Sequence, residues 1–467
     1  MKTLQALQCL QEETKAEVFL VGGFVRDYLR NKKNDDLDIV IRKVSSNAII
    51  AYLKKHGSCK RVTLAINNDA FTTELVLFRG KDDILIAQIV LPRRGKRQIA
   101  DKNNTLRQDA KYRDFKINAM YLPINYKSKA DVIDAIGGLQ DIRNRTISTV
   151  VDADQCLSMS PIRVLRAISL AARTEYKIDS NLFSGLRSNA PALKDVIPDA
   201  IRKDLNKILL SSKPSRYLKL MQKLGILEIV MPELSSCVGV TQDTRYHKYD
   251  VFTHCIYTCD HAERNLVLRL SGLLHDVGKA GTRKRVGIRV TFHKHEMLSV
   301  KLARSFLNRL RYDGKTKTEV LSLVRLHMYH YTRDYGDGAV RRFIKKLSIT
   351  EDMLDDLGNL PLFKLRQAER LGNGLKVEPV TKRQLDFEDR IKKVFKRGGG
   401  LQIKDLDIDG HIIMEAFALK PGEMIGKVMG HLLDCVQKDK KLNNRLTLIE
   451  LTLQYLKDKH SQDTKSR

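Results

Sequence analysis

Two kinds of hydrophobic spacing divide the chain. Over the first third, short apolar runs alternate with polar stretches. Residues 4–16 carry apolar side chains at helical spacing, Glu17–Val21 fits a strand leading into a glycine pair, and residues 25–29 begin a second helix. Residues 37–41, 74–78 and 84–90 are again strand-like, so the expectation is an α+β head with a small central sheet. From about residue 151 the period changes: Pro161, Ile162, Leu165, Ile168 and Ala172 recur at threes and fours, and nearly everything beyond them is expected to be helical. The run Arg397, Gly398, Gly399, Gly400 punctuates this body as a hinge or boundary, and residues 457–467 are polar enough for a frayed tail.

Size and charge narrow the picture. A chain of 467 residues exceeds what one growing core supports, so several domains are expected. The 84 Lys and Arg against 55 Asp and Glu leave a formal charge of +29, which calls for a polyanionic partner and points to nucleic acid. The basic residues are interspersed with apolar ones, which favours a folded phosphate-contacting surface over a disordered arm. No apolar run reaches the roughly 18 residues of a membrane span, and the first twenty residues lack the apolar core of a signal peptide, so no membrane and a cytoplasmic location are expected. Seven cysteines without a close CxxC pair support neither a disulfide framework nor a zinc knuckle.

Candidate chemistry begins with Asp36 and Asp38, which flank Leu37. In a strand, residues two apart share a side, and two neighbouring carboxylates repel unless a cation lies between them. Mg²⁺ carrying a polyphosphate is the usual solution. The glycines Gly22 and Gly23 let the backbone approach a phosphate, and Arg26 and Asp27 follow at the start of a helix. Glu74 is either a third carboxylate or a sheet-edge charge. In LRQDAKYRDFKINAM, Arg113 and Asn118 suit phosphate and sugar contacts, Asp109 accompanies them, and Asp114 either meets substrate or orients Arg113. The segment from Asp134 to Asp141, with Gly137 and Gly138, reads as scaffold.

A second constellation lies in the body. His254, His275, Asp276 and His295 combine imidazoles and a carboxylate in helical context, a donor set suited to a transition metal or Mg²⁺. His327, His330, Asp334 and Asp337 lie farther on and are candidates to complete it.

The segments VGGFVRDYL, DDLDIVI, RDFKINAMY, DAIGGLQDI and PIRVLRAISLAAR, covering residues 18–210, together resemble the bacterial-type tRNA nucleotidyltransferase and poly(A) polymerase family, whose head belongs to the polymerase beta superfamily. The resemblance implies template-independent addition of CCA to the 3′ end of tRNA from CTP and ATP, with Mg²⁺ and release of pyrophosphate. It implies catalysis by Asp36 and Asp38 with Glu74, and nucleotide binding by Gly22, Gly23, Arg26, Asp27, Asp109, Arg113 and Asn118. In that family a neck helix presents an aspartate and an arginine to the incoming base. The matching arginine is Arg163, with Arg166 one turn on as a brace, but the aspartate position holds Ser160. Where the family has Glu-Arg-Ile, this chain has Asp199, Ala200 and Ile201. Either departure fits an enzyme restricted to adding only A or only C, or a poly(A) polymerase, as the alternative.

Residues 246–342 resemble the HD phosphohydrolase domain. That likeness implies a second divalent metal on His254, His275, Asp276 and a late aspartate, Asp334 or Asp337, with Lys279 and His295 near phosphate. It also implies hydrolysis of 2′,3′-cyclic phosphate or phosphomonoester ends. The expected organisation is a nucleotidyltransferase head (1–150), a helical neck (151–240), an HD-like domain (241–345) and a helical RNA-binding body (346–467).

Overall fold

A computed structural model describes residues 2–66, 71–83, 86–91, 93–94, 99–100, 102–287, 289–331, 335–399 and 401–465. The chain forms two compact units, residues 1–325 and 326–467. In the first unit a helix α1 (Thr3–Thr14) precedes β1 (Glu17–Val21), α2 (Gly23–Leu29), β2 (Leu37–Arg42), α3 (Ser46–Leu53) and the long hairpin β3 (Gly57–Ile66) and β4 (Phe71–Gly80). Next come β5 (Ala87–Val90), α4 (Leu106–Ala110), β6 (Met120–Pro123) and β7 (Ile133–Asp134). The sheet order is β3-β4-β5-β2-β1-β6-β7, mixed because β2 and β5 run parallel while β1 pairs antiparallel with both β2 and β6.

Strand alternation explains why this sheet is central. Val18 and Leu20 on β1 and Leu37, Ile39 and Ile41 on β2 point to one face, where Ala6, Leu7 and Leu10 of α1 cover them. Phe19, Val21, Val40 and Tyr121 fill the other face. Two buried faces give near-continuous apolar runs, which made β1 and β2 readable from sequence. The strands β3 and β6 were not anticipated. Gly57 and Ser58 open β3 and Lys60 and Arg61 interrupt its apolar positions, and β6 is only four residues long and ends on a proline.

Beyond the head the first unit is helical apart from short pairings such as the ribbon of Lys284–Val286 with Arg289–Thr291. The neck helix α5 (Ile162–Thr174) packs on α6 (Pro198–Leu209), and α7 (Val251–His261), α8 (Leu266–Leu274) and α9 (His295–Arg309) follow. One continuous core runs from Phe115 in the head through the neck to Val324. In the second unit α10 (Asp337–Leu347), α11 (Pro361–Gly372) and α12 (Lys382–Val394) enclose an aromatic core of Tyr331, Phe363 and Phe387. A separate core follows on α13 (Gly410–Phe417), α14 (Glu423–Lys438) and α15 (Arg445–Lys465). The glycine run lies between these two cores, with Phe395–Gly399 wound as a wide helical turn and Gly400 outside the described residues.

Candidate functional site

The turn between β1 and α2 creates the head site. Gly22 has φ +72°, and a Cβ there would lie 2.7 Å from Oδ2 of Asp38, so glycine is required both by the backbone and by the carboxylate it touches. Register puts Val21 opposite Asp38, and Asp36 lies just before β2 with its N–H donating to Asn34 Oδ1 at 2.9 Å. Asp38 is half-buried and Asp36 exposed. Both carboxylates are felt by the neck helix. Burial works against the charge of Arg166, but Asp114, Asp204 and Asp38 outweigh it and raise its pKa. Burial and the nearby Arg26 lower the pKa of Arg173, opposed by Asp27, Asp36 and Asp204.

Several residues expected to meet nucleotide are bonded to each other. Arg26 and Asp27 are buried and form a two-pronged ion pair at 2.9 and 2.6 Å. Asp27 also accepts from Arg30 at 3.1 Å and Asn34 at 2.8 Å, and lies 3.9 Å from Arg173. Burial tends to raise the Asp27 pKa, but the Arg26 partnership prevails and lowers it. Arg26 also donates to Asn118 Oδ1 at 2.7 Å, Asn118 donates to Asp114 at 3.3 Å, and Arg166 donates to Asp114 at 3.1 Å. These bonds form an alternating chain from Arg173 through Asp27, Arg26, Asn118 and Asp114 to Arg166. It clamps α2 and the Asp114 to Asn118 segment to α5. Burial alone would raise the Asp114 pKa, yet Arg166 and Arg163 bring it down to about 2.

Asp109 is fully buried, accepting from Arg113 Nε at 2.9 Å and from the Tyr121 hydroxyl at 2.6 Å. This leaves Nη2 of Arg113 buried without a hydrogen-bond partner, a donor available to an anion. Arg163 is placed differently from expectation. It is 3% exposed, and its guanidinium donates to the carbonyls of Cys156 at 2.9 Å and Tyr112 at 2.6 Å. It therefore pins the neck to the head instead of facing an open cleft. Ser160 stands half-buried just before α5, its carbonyl accepting from the Arg163 N–H at 2.9 Å. Glu74 occupies β4 opposite Thr63, and its side chain lies outside the described residues.

The second cluster is dense. His254 on α7, His275 and Asp276 at the end of α8, and His295 at the start of α9 are all buried. Nε2 of His275 lies 3.2 Å from Nε2 of His254 and 3.2 Å from Oδ2 of Asp276, while Nε2 of His295 lies 3.2 Å from Oδ1. Nδ1 of His275 faces the Gly272 carbonyl at 2.9 Å, and Nδ1 of His295 faces the Phe292 carbonyl at 2.8 Å. A carbonyl only accepts, so each Nδ1 carries a proton, and each Nε2 is aimed at the carboxylate. Two imidazoles and a carboxylate converge here, and His254, His275 and Asp276 have the spacing to hold a metal ion. Lys279 supplies one positive charge, 2.7 Å from Asp276. Burial would raise the Asp276 pKa, but His275 and Lys279 outweigh it and hold the carboxyl well below the usual range.

Of the late aspartates, Asp334 lies outside the described residues. Asp337 begins α10 in the second unit, with its carboxylate on Arg390 and 3.8 Å from Arg397. Sequence reasoning missed Arg173, Arg30, Asn34, Tyr121 and Gln242. Arg173 alone had a signal, standing seven residues after Arg166 on the same helical stripe.

Comparison with known proteins agrees with this architecture. Family models match in series: the poly A polymerase head domain over residues 18–148, the "Probable RNA and SrmB- binding site of polymerase A" over 175–237, and the HD domain over 244–389. An A-adding tRNA nucleotidyltransferase of Deinococcus radiodurans is 27% identical over 73% of this chain and 75% of its own length. A multifunctional CCA protein of Cupriavidus metallidurans is 28% identical over 71% of this chain and 79% of its own. The crystal structure of the Bacillus stearothermophilus CCA-adding enzyme with CTP shares the fold, with TM-score 0.66, 15% identity, and 99% of this chain and 98% of that one covered. The head, RNA-binding and HD models thus match in that order along one chain, which is similar over about seven tenths of its length to an A-adding tRNA nucleotidyltransferase and to a multifunctional CCA protein.

Proposed function

We infer that the protein adds CCA to the 3′ end of tRNA from CTP and ATP without a nucleic-acid template. The observation that carries this reading is the placement of Asp38 against the Gly22 turn with Asp36 two residues before it, Asp38 in the field of Arg166 and Asp36 in that of Arg173. Asp36 and Asp38 would hold the divalent ion, Mg²⁺, which neutralises the triphosphate and lowers the pKa of the attacking hydroxyl. The Gly22 turn admits phosphate close to the backbone. Arg166, Arg173 and Nη2 of Arg113 offer positive charge to the transferring and leaving groups. The RNA 3′ hydroxyl gives up its proton to solvent as its oxygen bonds to the α-phosphorus, the bond to the bridging oxygen of the β-phosphate breaks, and pyrophosphate carries away that electron pair. The excess of basic residues serves tRNA binding. On this reading residues 1–150 are the catalytic head, 151–240 the neck, 241–345 the HD-like domain and 346–467 an RNA-binding body, in a cytoplasmic protein. Among the described residues, no helix is long and apolar enough to cross a membrane.

A second reading, restriction to a single nucleotide, is favoured by two observations. Ser160 replaces the expected aspartate, and Arg163 is tied up by two carbonyls. The relative from Deinococcus radiodurans is itself named A-adding. Extension of tRNAs ending before the first C, after one C and after two C residues, each with CTP alone or ATP alone, separates the readings. CTP on the first two and ATP on the third means CCA addition. ATP on the third alone means A-addition, and no extension anywhere rejects nucleotidyl transfer to tRNA.

The HD-like cluster supports a second activity, hydrolysis of 2′,3′-cyclic phosphate or phosphomonoester ends. His254, His275 and Asp276 would hold a divalent metal, which activates water at neutral pH. In the cyclic ester, water oxygen bonds to phosphorus, one P–O ester bond opens, and the departing ribose oxygen takes the proton. Lys279 places positive charge beside the cluster.

A further inference from the structure

The loop between residues 240 and 251 is closed at its base and attached to the histidine cluster. Val251 N–H donates to the Val240 carbonyl at 3.0 Å, and Gln242 Nε2 donates to the Tyr249 carbonyl at 3.2 Å. Gln242 is buried, and its Oε1 accepts at 2.8 Å from Lys279, the residue bound to Asp276. Farther along, the His247 ring packs edge-on against His254, with centroids 5.5 Å apart. The loop thus grips both a metal-ligand candidate and the lysine of the cluster.

Its remaining side chains have a different character. The run Arg245, Tyr246, His247, Lys248, Tyr249 mixes two cationic residues with two tyrosines and a histidine. Tyr246 is 62% exposed, with the Arg245 guanidinium 5.5 Å from its ring centroid. Arg245 is held by Asp243, Nε to Oδ1 at 2.9 Å, and the Tyr246 and His247 N–H groups both donate to the Asp243 carbonyl at 3.0 Å. An ordered turn therefore presents a large exposed ring beside one guanidinium, with Lys248 two residues on and 5.7 Å from the Tyr249 ring centroid, and rings with cations bind unpaired nucleobases by stacking and their phosphates by charge.

We propose that this loop is the nucleoside subsite of the histidine cluster, with Tyr246 stacking on the terminal base and Arg245 and Lys248 facing the adjoining phosphate, so that the cluster's substrate is the end of an RNA or a nucleotide and not a generic phosphoester. This inference rests on the phosphohydrolase reading of the cluster, and its test separates the two. The protein, carrying Asp36→Ala and Asp38→Ala so that the head is disabled, is loaded with Mn²⁺. It is given adenosine 2′,3′-cyclic phosphate or the base-free glycerol 1,2-cyclic phosphate. Hydrolysis and calorimetric binding are followed in this parent and with Tyr246→Ala or Tyr246→Phe added.

Tyr246→Ala is expected to raise KM and Kd for the adenosine ligand roughly 5- to 100-fold. The glycerol ligand is unaffected, and Tyr246→Phe retains the parent values. With the head intact, Tyr246→Ala extends tRNA like the wild type, showing that it folds. Unchanged binding of the adenosine ligand, equal weakening of both ligands, or no binding of it to the parent overturns the subsite. If the parent binds the adenosine ligand through Tyr246 yet hydrolyses neither compound, the phosphohydrolase reading fails and the subsite stands.

Discussion

Asp36 is exposed at the mouth of β2 and Asp38 half-buried beside Gly22, whereas Asp276 is 2% exposed among His254, His275, His295 and Lys279. The first arrangement keeps its carboxylates near water and leaves their neutralisation to arginines on another element, so the site suits ions that arrive with a nucleotide. The second removes an anion from water entirely, which is tolerable only with partners already in place. The comparison teaches that one chain can hold a site that stays open and a site that is preassembled. The cost of changing a residue should follow that difference.

The largest effect is expected at the closed site. Asp276→Ala strips the buried Lys279 of its partner and should destabilise the first unit by about 3–5 kcal/mol, since an uncompensated buried charge remains. Urea unfolding followed by circular dichroism measures it. A loss below about 1 kcal/mol would mean that the cluster is not preassembled in the sense described.

Next comes the clamp between head and neck. The Asp114 carboxyl is lowered to about 2, so its ion pair contributes stability above the unfolded pKa near 3.8 and loses it as pH falls toward 2. Asp114→Asn should cost about 2 kcal/mol at pH 7 and almost nothing near pH 2. Denaturation midpoints across that range check both limbs, and a pH-independent cost would contradict the assignment.

At the open site, Gly22→Ala combines an unfavourable φ with a Cβ 2.7 Å from the Asp38 carboxylate. A stability loss of about 1–2 kcal/mol is expected, together with a larger proportional loss of transfer activity, because the displaced group is the carboxylate itself. Equal retention of activity and stability would show that Asp38 has room to spare. The smallest effect is a change of choice. Ser160→Asp restores an acceptor near the neck and should shift the ratio of CTP to ATP incorporation severalfold, on the order of one hydrogen bond. Stability should stay unchanged, and competition assays with both nucleotides read the ratio.

Both sites were readable where their residues lie close together in the sequence. Asp36, Asp38 and the glycine pair lie within 17 residues, and the pairing of β1 with β2 sets Asp38 against Gly22, so their spacing carried the argument. His275 and Asp276 were legible for the same reason. The roles of Arg26, Asp27, Asn118 and Arg163 were not, because their partners lie far along the chain and any exposed-looking Arg or Asp in a motif reads as a ligand contact. Arg26 meets Asn118 across 92 positions, and Arg163 meets Tyr112 across 51. Asp337 likewise has a partner that its local sequence does not announce, Arg390 on α12. In the fold, strands buried on both faces announced themselves, while β3, with its charged interruptions, became a strand only through its partner β4.

The central claim is that the two sites work independently, and one crossed measurement tests it. The doubly substituted Asp36→Ala, Asp38→Ala protein and the His275→Ala protein are each assayed for nucleotide addition to tRNA and for opening of a 2′,3′-cyclic phosphate. The account predicts that the first loses addition by at least about a thousandfold and keeps ring opening, while the second does the reverse. Loss of both activities in either protein, or retention of addition without the two head aspartates, would contradict it.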